Sequence, residues 1–261
     1  GASDKFDYES LMKPEDRGSN RITRAIEEGD VAFIKDIYNS YPELLKERDG
    51  NGWNAMTKAA AEGKVEVLNA IYKMDPTLLH KQDRGGSNAM TTAAAKGKVE
   101  VLKAIHEMDP THEMEPELLK ERDGNGWNAM TTAAAYGTVD VLKAIHEMAP
   151  ELLKEKDGNG WNAMTLSALK GQVEVLKAIH EMDPTLLYEQ DLGGWNAITW
   201  AAAEGQEAVL KFMLEKKPNV IDTLNIREKA VIYFELFYHL NIELLYHQFK
   251  IDNLLCWKNF Q

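Results

Sequence analysis

The sequence predicts an all-α fold in which short helix pairs repeat along the chain and build one core by stacking. Three observations carry this expectation. The chain matches itself at a spacing of 34 residues, with Trp127, Trp161 and Trp195 in phase, then Gly137, Gly171 and Gly205, then Pro42, Pro76 and Pro110. A period of that size marks an array of supersecondary units. Within each unit an Asn stands before one helical segment and a Gly behind it, the order of an N-cap and a left-handed C-cap. The next segment carries apolar residues at helical spacing, a stripe that one unit cannot bury alone.

Residues 1–14 are expected to form an arm or a short leading helix, the helix over 4–14, and the array is expected to run over 15–218. Its units lie near 15–48, 49–82, 83–122, 123–156, 157–190 and 191–218. The first is degenerate and keeps Asn20, Gly29 and Pro42 in phase; the others open at Asp49, Asp83, Asp123, Asp157 and Asp191. The unit at 83–122 is six residues too long, because "HEMDPT" at 106–111 is followed by a near copy, "HEMEPE", at 112–117, which predicts a protruding loop or turn.

The unit opening at Asp123 shows the pattern. Asn128 caps "AMTTAAAY", whose Ala133, Ala134 and Ala135 are small enough for neighbouring units to approach closely. Gly137 closes that helix. "TVDVLKAIHEM" then places Val141, Ile145 and Met148 on one stripe, Pro150 stops it, and an extended loop with Leu152 and Leu153 seals the layer. Met74, Met108, Met148 and Met182 fall in phase with this stripe and are expected to fill core. From about 219 the period is lost. "IREKAVIYFELFYHL" and "IELLYHQFKIDNLLCWKNF" read as two aromatic-rich helices, a C-terminal cap over 219–261; the start of a second domain is the other reading.

Composition narrows the partners. With 42 acidic and 30 basic residues the formal charge is -12, which opposes phosphate-backbone binding and favours basic or neutral partners; nucleic acid is not expected. The one cysteine, Cys256, cannot form an internal disulfide, which fits a reducing compartment and a cytoplasmic location. No apolar run approaches the length of a membrane span, and "GASDKFDYES" lacks the basic and apolar regions of a signal peptide.

No pattern converges on catalysis. "GNGWNA" has the G-x-G-x-x-A form of a dinucleotide turn but follows a charged loop and recurs three times, so it reads as a hairpin turn. His106, His146 and His180 hold one position of successive helices about 8–10 Å apart, too far to share a metal. The carboxylates belong to repeating solvated faces, and Cys256 has no evident histidine partner. No enzymatic activity, cofactor or metal is expected; an enzyme using His239 and His247 of the last segment is the weakest reading.

The frame D-x-x-G-x-N-A-M-T-x-A-A-x-x-G-x-V-E-V-L-x-x-I resembles the ankyrin repeat, over about 49–215 closely and 15–48 more loosely. The departures are consistent. Asn54, Asn88, Asn128, Asn162 and Asn196 stand where the family usually has Thr, and Ala replaces the Pro of the first helical position. Thr57, Thr91, Thr131, Thr165 and Thr199 replace the family's His, which puts its usual inter-repeat hydrogen bonds in question. The resemblance implies an ankyrin-type solenoid of helix-turn-helix-loop units whose projecting turns and first helices line a concave surface that binds partner proteins.

On that surface the turn tips carry Trp53, Trp127, Trp161 and Trp195, with Ser87 as the exception, beside Asn51, Asn125 and Asn159. Large rings dominate interfaces as hot spots. Equally, an unvarying ring can serve only to clamp adjacent turns, and both readings stand. Variation marks specificity: Arg84 and Leu192 replace a tip Gly, the first-helix ends read Glu62, Lys96, Tyr136, Lys170 and Glu204, and Lys58, Thr92, Thr132, Leu166 and Trp200 vary one turn earlier. The expected function is a monomeric protein-binding scaffold. The alternative is a targeting or regulatory module of a larger protein, such as a bacterial effector acting in a host cytosol.

Overall fold

Asn20 begins the first helix pair as its sequence position predicts. Its side chain accepts from the Thr23 N–H at 2.9 Å while the Thr23 hydroxyl accepts from the Asn20 N–H at 3.0 Å, a reciprocal cap. The computed structural model describes residues 7–108 and 114–216. The predicted cap at 219–261, Cys256, and most of the duplicated segment's junction lie outside these residues. Contacts divide the chain into two compact units, Gly1–Leu153 and Lys154–Gln261.

The first unit opens with α1 (Tyr8–Met12), followed by the pairs α2 (Arg21–Glu28) with α3 (Val31–Ser40), α4 (Ala55–Glu62) with α5 (Val65–Met74) and α6 (Ala89–Lys96) with α7 (Val99–Met108). After α8 (Met114–Lys120) comes the pair α9 (Ala129–Tyr136) with α10 (Val139–Met148). The first helices stack in the order α2, α4, α6, α9, and the second helices in the order α3, α5, α7, α10. The alanines explain the close stacking: Ala59, Ala60, Ala93, Ala94, Ala133 and Ala134 are fully buried between successive first helices. Second helices contribute Val67, Leu68 and Ile71, or Val141, Leu142 and Ile145, to the same layer.

The second unit repeats the plan with α11 (Ala163–Leu169) and α12 (Val173–Met182), then α13 (Ala197–Ala203) and α14 (Glu207–Lys216). Here α11 packs on α13 and α12 on α14. Among the described residues there is no strand.

Three features depart from the sequence reading. The stretch read as an extended loop is a short 3-10 helix, Pro42–Leu45, Pro76–His80, Pro150–Lys154 or Pro184–Tyr188. Proline stops the long helix but is itself a good first residue of the next, and Asp75 caps that turn by accepting from the Thr77 N–H at 3.1 Å. The Leu pairs beneath it are buried as expected. In the overlong repeat the second half of the copied motif forms part of α8, so a regular helix replaces the 3-10 turn. Met74, Met108, Met148 and Met182 are half-buried at helix ends, not core; among the described residues the fully buried methionines are Met56, Met90, Met130 and Met164 of the first helices and Met213 of a second helix.

The turns between helix pairs form fingers that bond to one another. The Gly50 N–H donates to Gly18 O at 2.8 Å, Arg84 N–H to Gly52 O at 3.0 Å and Gly124 N–H to Gly85 O at 2.7 Å. This approach leaves no room for a side chain at Gly124, where a Cβ would lie 2.8 Å from the Gly85 carbonyl oxygen. Gly124→Ala is therefore expected to break this rung and destabilise the first unit by about 1–3 kcal/mol. Urea unfolding measures it; an unchanged midpoint would contradict the finger contact.

Candidate interaction surface

Each finger is organised by its opening aspartate. Asp49 Oδ1 accepts from the Asn51 N–H at 2.9 Å and the Trp53 N–H at 3.0 Å, while the Asp49 N–H donates to Trp53 O at 2.9 Å. Asp83, Asp123, Asp157 and Asp191 repeat the bond to the fourth residue on, through the N–H of Ser87, Trp127, Trp161 and Trp195. The turn thus needs an amide at that place and no ring, so Ser87 substitutes without changing the backbone. "GNGWNA" is a turn of this kind.

The asparagine behind each finger does two jobs. Asn54 Oδ1 accepts from the Thr57 N–H at 2.9 Å, and its amide nitrogen donates to Lys81 O and Gln82 O at the end of the same repeat, each at 3.2 Å. Asn88 likewise caps α6 through Thr91 N–H and donates to Leu118 O at 2.9 Å. The threonines at 57 and 91 bond only to the asparagine that starts their own helix, whereas these asparagines also tie the start of the first helix to the segment that ends the same repeat.

Electrostatics differ from finger to finger. Burial pushes the Asp83 carboxyl above its ordinary value, outweighing the N–H groups of Ser87 and Gly85 and the attraction of Arg48, with Asp123 adding to the rise. A group whose folded pKa is raised contributes most below its unfolded pKa and loses that contribution as pH rises through the folded value. Asp83→Asn, which keeps the accepting oxygen, is expected to melt at an equal or higher temperature than the parent at pH 7 and to lose that advantage at pH 3. A lower melting temperature at pH 7 would contradict this account.

The predicted surface residues take several settings. Trp53, Trp127, Trp161 and Trp195 are all half-buried. Asn51, Asn125 and Asn159 are exposed, and the Asn51 amide donates back to Arg17 O at 2.7 Å, so it serves the finger stack. Arg84 is exposed and folds over the preceding finger, donating to Gly50 O at 3.3 Å. Ser87 is half-buried; Lys96, Tyr136 and Lys170 are exposed at the ends of their first helices, and Trp200 is half-buried.

The second unit brings three tryptophans together. Trp161 and Trp200 meet edge to face with centroids 5.2 Å apart, and Trp195 lies 4.7 Å from Trp200 at an interplanar angle of 55°. The Nε1–H groups of Trp161 and Trp200 both donate to Asp191 Oδ2, at 3.1 and 2.7 Å. Burial would raise the Asp191 carboxyl, but donors from Trp195, Trp200, Trp161 and Gly193 outweigh it and hold the pKa below the ordinary value. Trp161, at the tip of its finger, thus clamps the next turn.

Two arrangements have no local signature in the sequence. Lys58 is buried in α4, with Nζ 2.6 Å from Glu27 Oε1 and 2.9 Å from Glu62 Oε1. Burial alone would lower its pKa, yet the two carboxylates raise it. The Asp191 acceptor is the other; the one signal for it is Trp200, the single aromatic residue in a series of Lys, Thr, Thr and Leu. Among the described residues no group of three or more His, Cys, Asp or Glu is placed to hold a metal, and no helix is long and apolar enough to cross a membrane.

Comparison with known proteins agrees with the geometry. Residues 145–223 match the family model described as ankyrin repeats (3 copies). The crystal structure of EF0377, an ankyrin repeat protein, superposes with a TM-score of 0.57 at 20% identity, covering 74% of this chain and 96% of that chain. A search of curated protein sequences finds no match. The matched segment shares its Asn cap, closing Gly and Val-Leu stripe with the repeats that precede it, and those repeats fold into the same stacked helix pairs. The chain has the fold of an ankyrin-repeat array, and its residues 145–223 match the ankyrin-repeat family model.

Proposed function

We propose that the chain is a protein-protein interaction module that binds its partner across the first helices and the fingers, the face expected to be concave in such arrays. The observation that carries this reading is where near-identical repeats differ. The Asn caps, the Met and Ala of the buried first-helix face and the finger aspartates are nearly constant, whereas the exposed first-helix ends read Glu62, Lys96, Tyr136, Lys170 and Glu204. Stacking needs the constant residues; recognition is the reason to vary the exposed ones. An arm before residue 15, an array to about 218 and a cap beyond it complete the proposed organisation, and the protein acts as a monomer in a reducing compartment.

The test compares two faces of the first unit. Lys96→Glu with Tyr136→Glu alters the first-helix ends, and Lys103→Glu with Lys143→Glu alters exposed positions of the second helices. Partners captured from lysate are identified by mass spectrometry and titrated against each folded variant. Affinity is expected to fall at least about tenfold for the first pair, the scale of a hot-spot loss, and to hold for the second. The reverse ranking would overturn the proposal.

A further inference from the structure

The tryptophan cluster of the second unit has a chemistry that the finger itself does not require. The Nε1–H edges of Trp161 and Trp200 are both fixed on Asp191 Oδ2, so the far edges of the rings point away from that carboxylate. All three rings are half-buried, and Leu192, beside them at the finger tip, is 82% exposed where three other fingers carry Gly. Glu204, just past the end of α13, is exposed one helical turn after Trp200, its N–H donating to Trp200 O at 3.0 Å, which sets the two side chains on one face.

These groups suit a cation of one shape. An indole face attracts positive charge through its quadrupole, and an anion accepting from the N–H edge increases the electron density of the ring. Centroid separations of 4.7 and 5.2 Å mean that the rings already touch, so no ammonium group can be enclosed between them. A planar guanidinium needs no enclosure, because it stacks on an outward face while its edge pairs with a carboxylate. The charge of -12 favours a basic partner.

Resting on the interaction reading above, we infer that Trp161, Trp195 and Trp200 anchor an arginine side chain of the partner protein, its guanidinium stacked on an indole and paired with Glu204. Lys170, at the register of Glu204 in the preceding repeat, is a like charge that limits how many cations this face accepts.

The preceding repeat offers compatible replacements, since Leu166 and Lys170 occupy the positions of Trp200 and Glu204. Trp200→Leu and Glu204→Lys are made in the full chain, and indole N–H resonances are followed by 15N NMR during titration with N-acetyl-arginine amide. The neutral N-acetyl-citrulline amide is the control. Saturable shifts are expected with the arginine probe alone, weakened about fivefold or more in Glu204→Lys and lost in folded Trp200→Leu. Equal shifts with citrulline, no saturable shift, or an arginine response that survives in Trp200→Leu would overturn the inference. If that happens while the Lys96 and Tyr136 replacements still abolish partner capture, only the arginine site fails; capture that depends on Lys103 and Lys143 would sink the underlying reading.

Discussion

Asp191→Asn is expected to destabilise the second unit by about 2–4 kcal/mol, because it turns a shared acceptor into a donor facing two indole N–H groups. Asp191 Oδ1 still receives the N–H groups of Gly193 and Trp195 in the variant, so the finger backbone persists and the loss isolates the clamp. Asp157→Asn is the control. Its Oδ1 accepts from Asn159 and Trp161, but its buried Oδ2 has no hydrogen-bond partner, so an amide there removes nothing comparable. Urea unfolding followed by tryptophan fluorescence separates the two, and equal losses would contradict the clamp.

The pH dependence has a definite sign. Because the folded pKa of Asp191 is held below its ordinary value, its contribution is complete above the ordinary carboxylate range and disappears as pH falls through the depressed pKa. Parent and Asp191→Asn should therefore differ most near neutrality and converge in acid.

Asn88→Ala is the second large effect. Asn88 is fully buried and joins two structures, capping α6 through Thr91 and holding the carbonyl of Leu118 in α8. Loss of the cap costs about 1 kcal/mol and the stranded carbonyl about 1–3 more, for a total of about 3 kcal/mol. Asn88→Thr keeps a capping oxygen but cannot reach Leu118, so it should lose about half as much. If the two replacements cost the same in urea unfolding, the bond from Asn88 to Leu118 contributes nothing and this account of the asparagines fails.

The parts of the fold that are legible in the sequence are those whose causes are local. Asn128 and Gly137 bracket α9 because a cap and a left-handed residue act within one turn of the helix they end. The alanine and valine-leucine patterns mark both stacked faces for the same reason. Depth is less legible: Met148 shares the stripe of Val141 and Ile145, but periodicity assigns a side and not a distance from solvent, and its place at the helix end leaves it half-buried. The 3-10 turns escape a sequence reading because proline signals a stop without specifying the conformation of the residues after it.

The surface is legible in position and not in partnership. Trp161 meets an acceptor 30 residues on, and Trp200 meets the same oxygen nine residues back. Nothing in either local sequence states that pairing. Lys58 is similar, since one of its carboxylates, Glu27, comes from the preceding helix pair. The recurring tryptophan divides by edge: at position 161 the N–H edge serves stacking, and the remaining ring surface is what recognition has to use.

Site-specific photo-crosslinking tests the central claim most directly. A benzophenone amino acid is placed in the full chain at Lys96 or Tyr136 on the first helices, and at Lys103 or Lys143 on the second helices, and adducts with the captured partner are mapped by mass spectrometry. Adducts from positions 96 and 136, with none from 103 and 143, are the predicted result. Adducts formed only from 103 and 143 would place the partner on the opposite helices and contradict the proposed binding face.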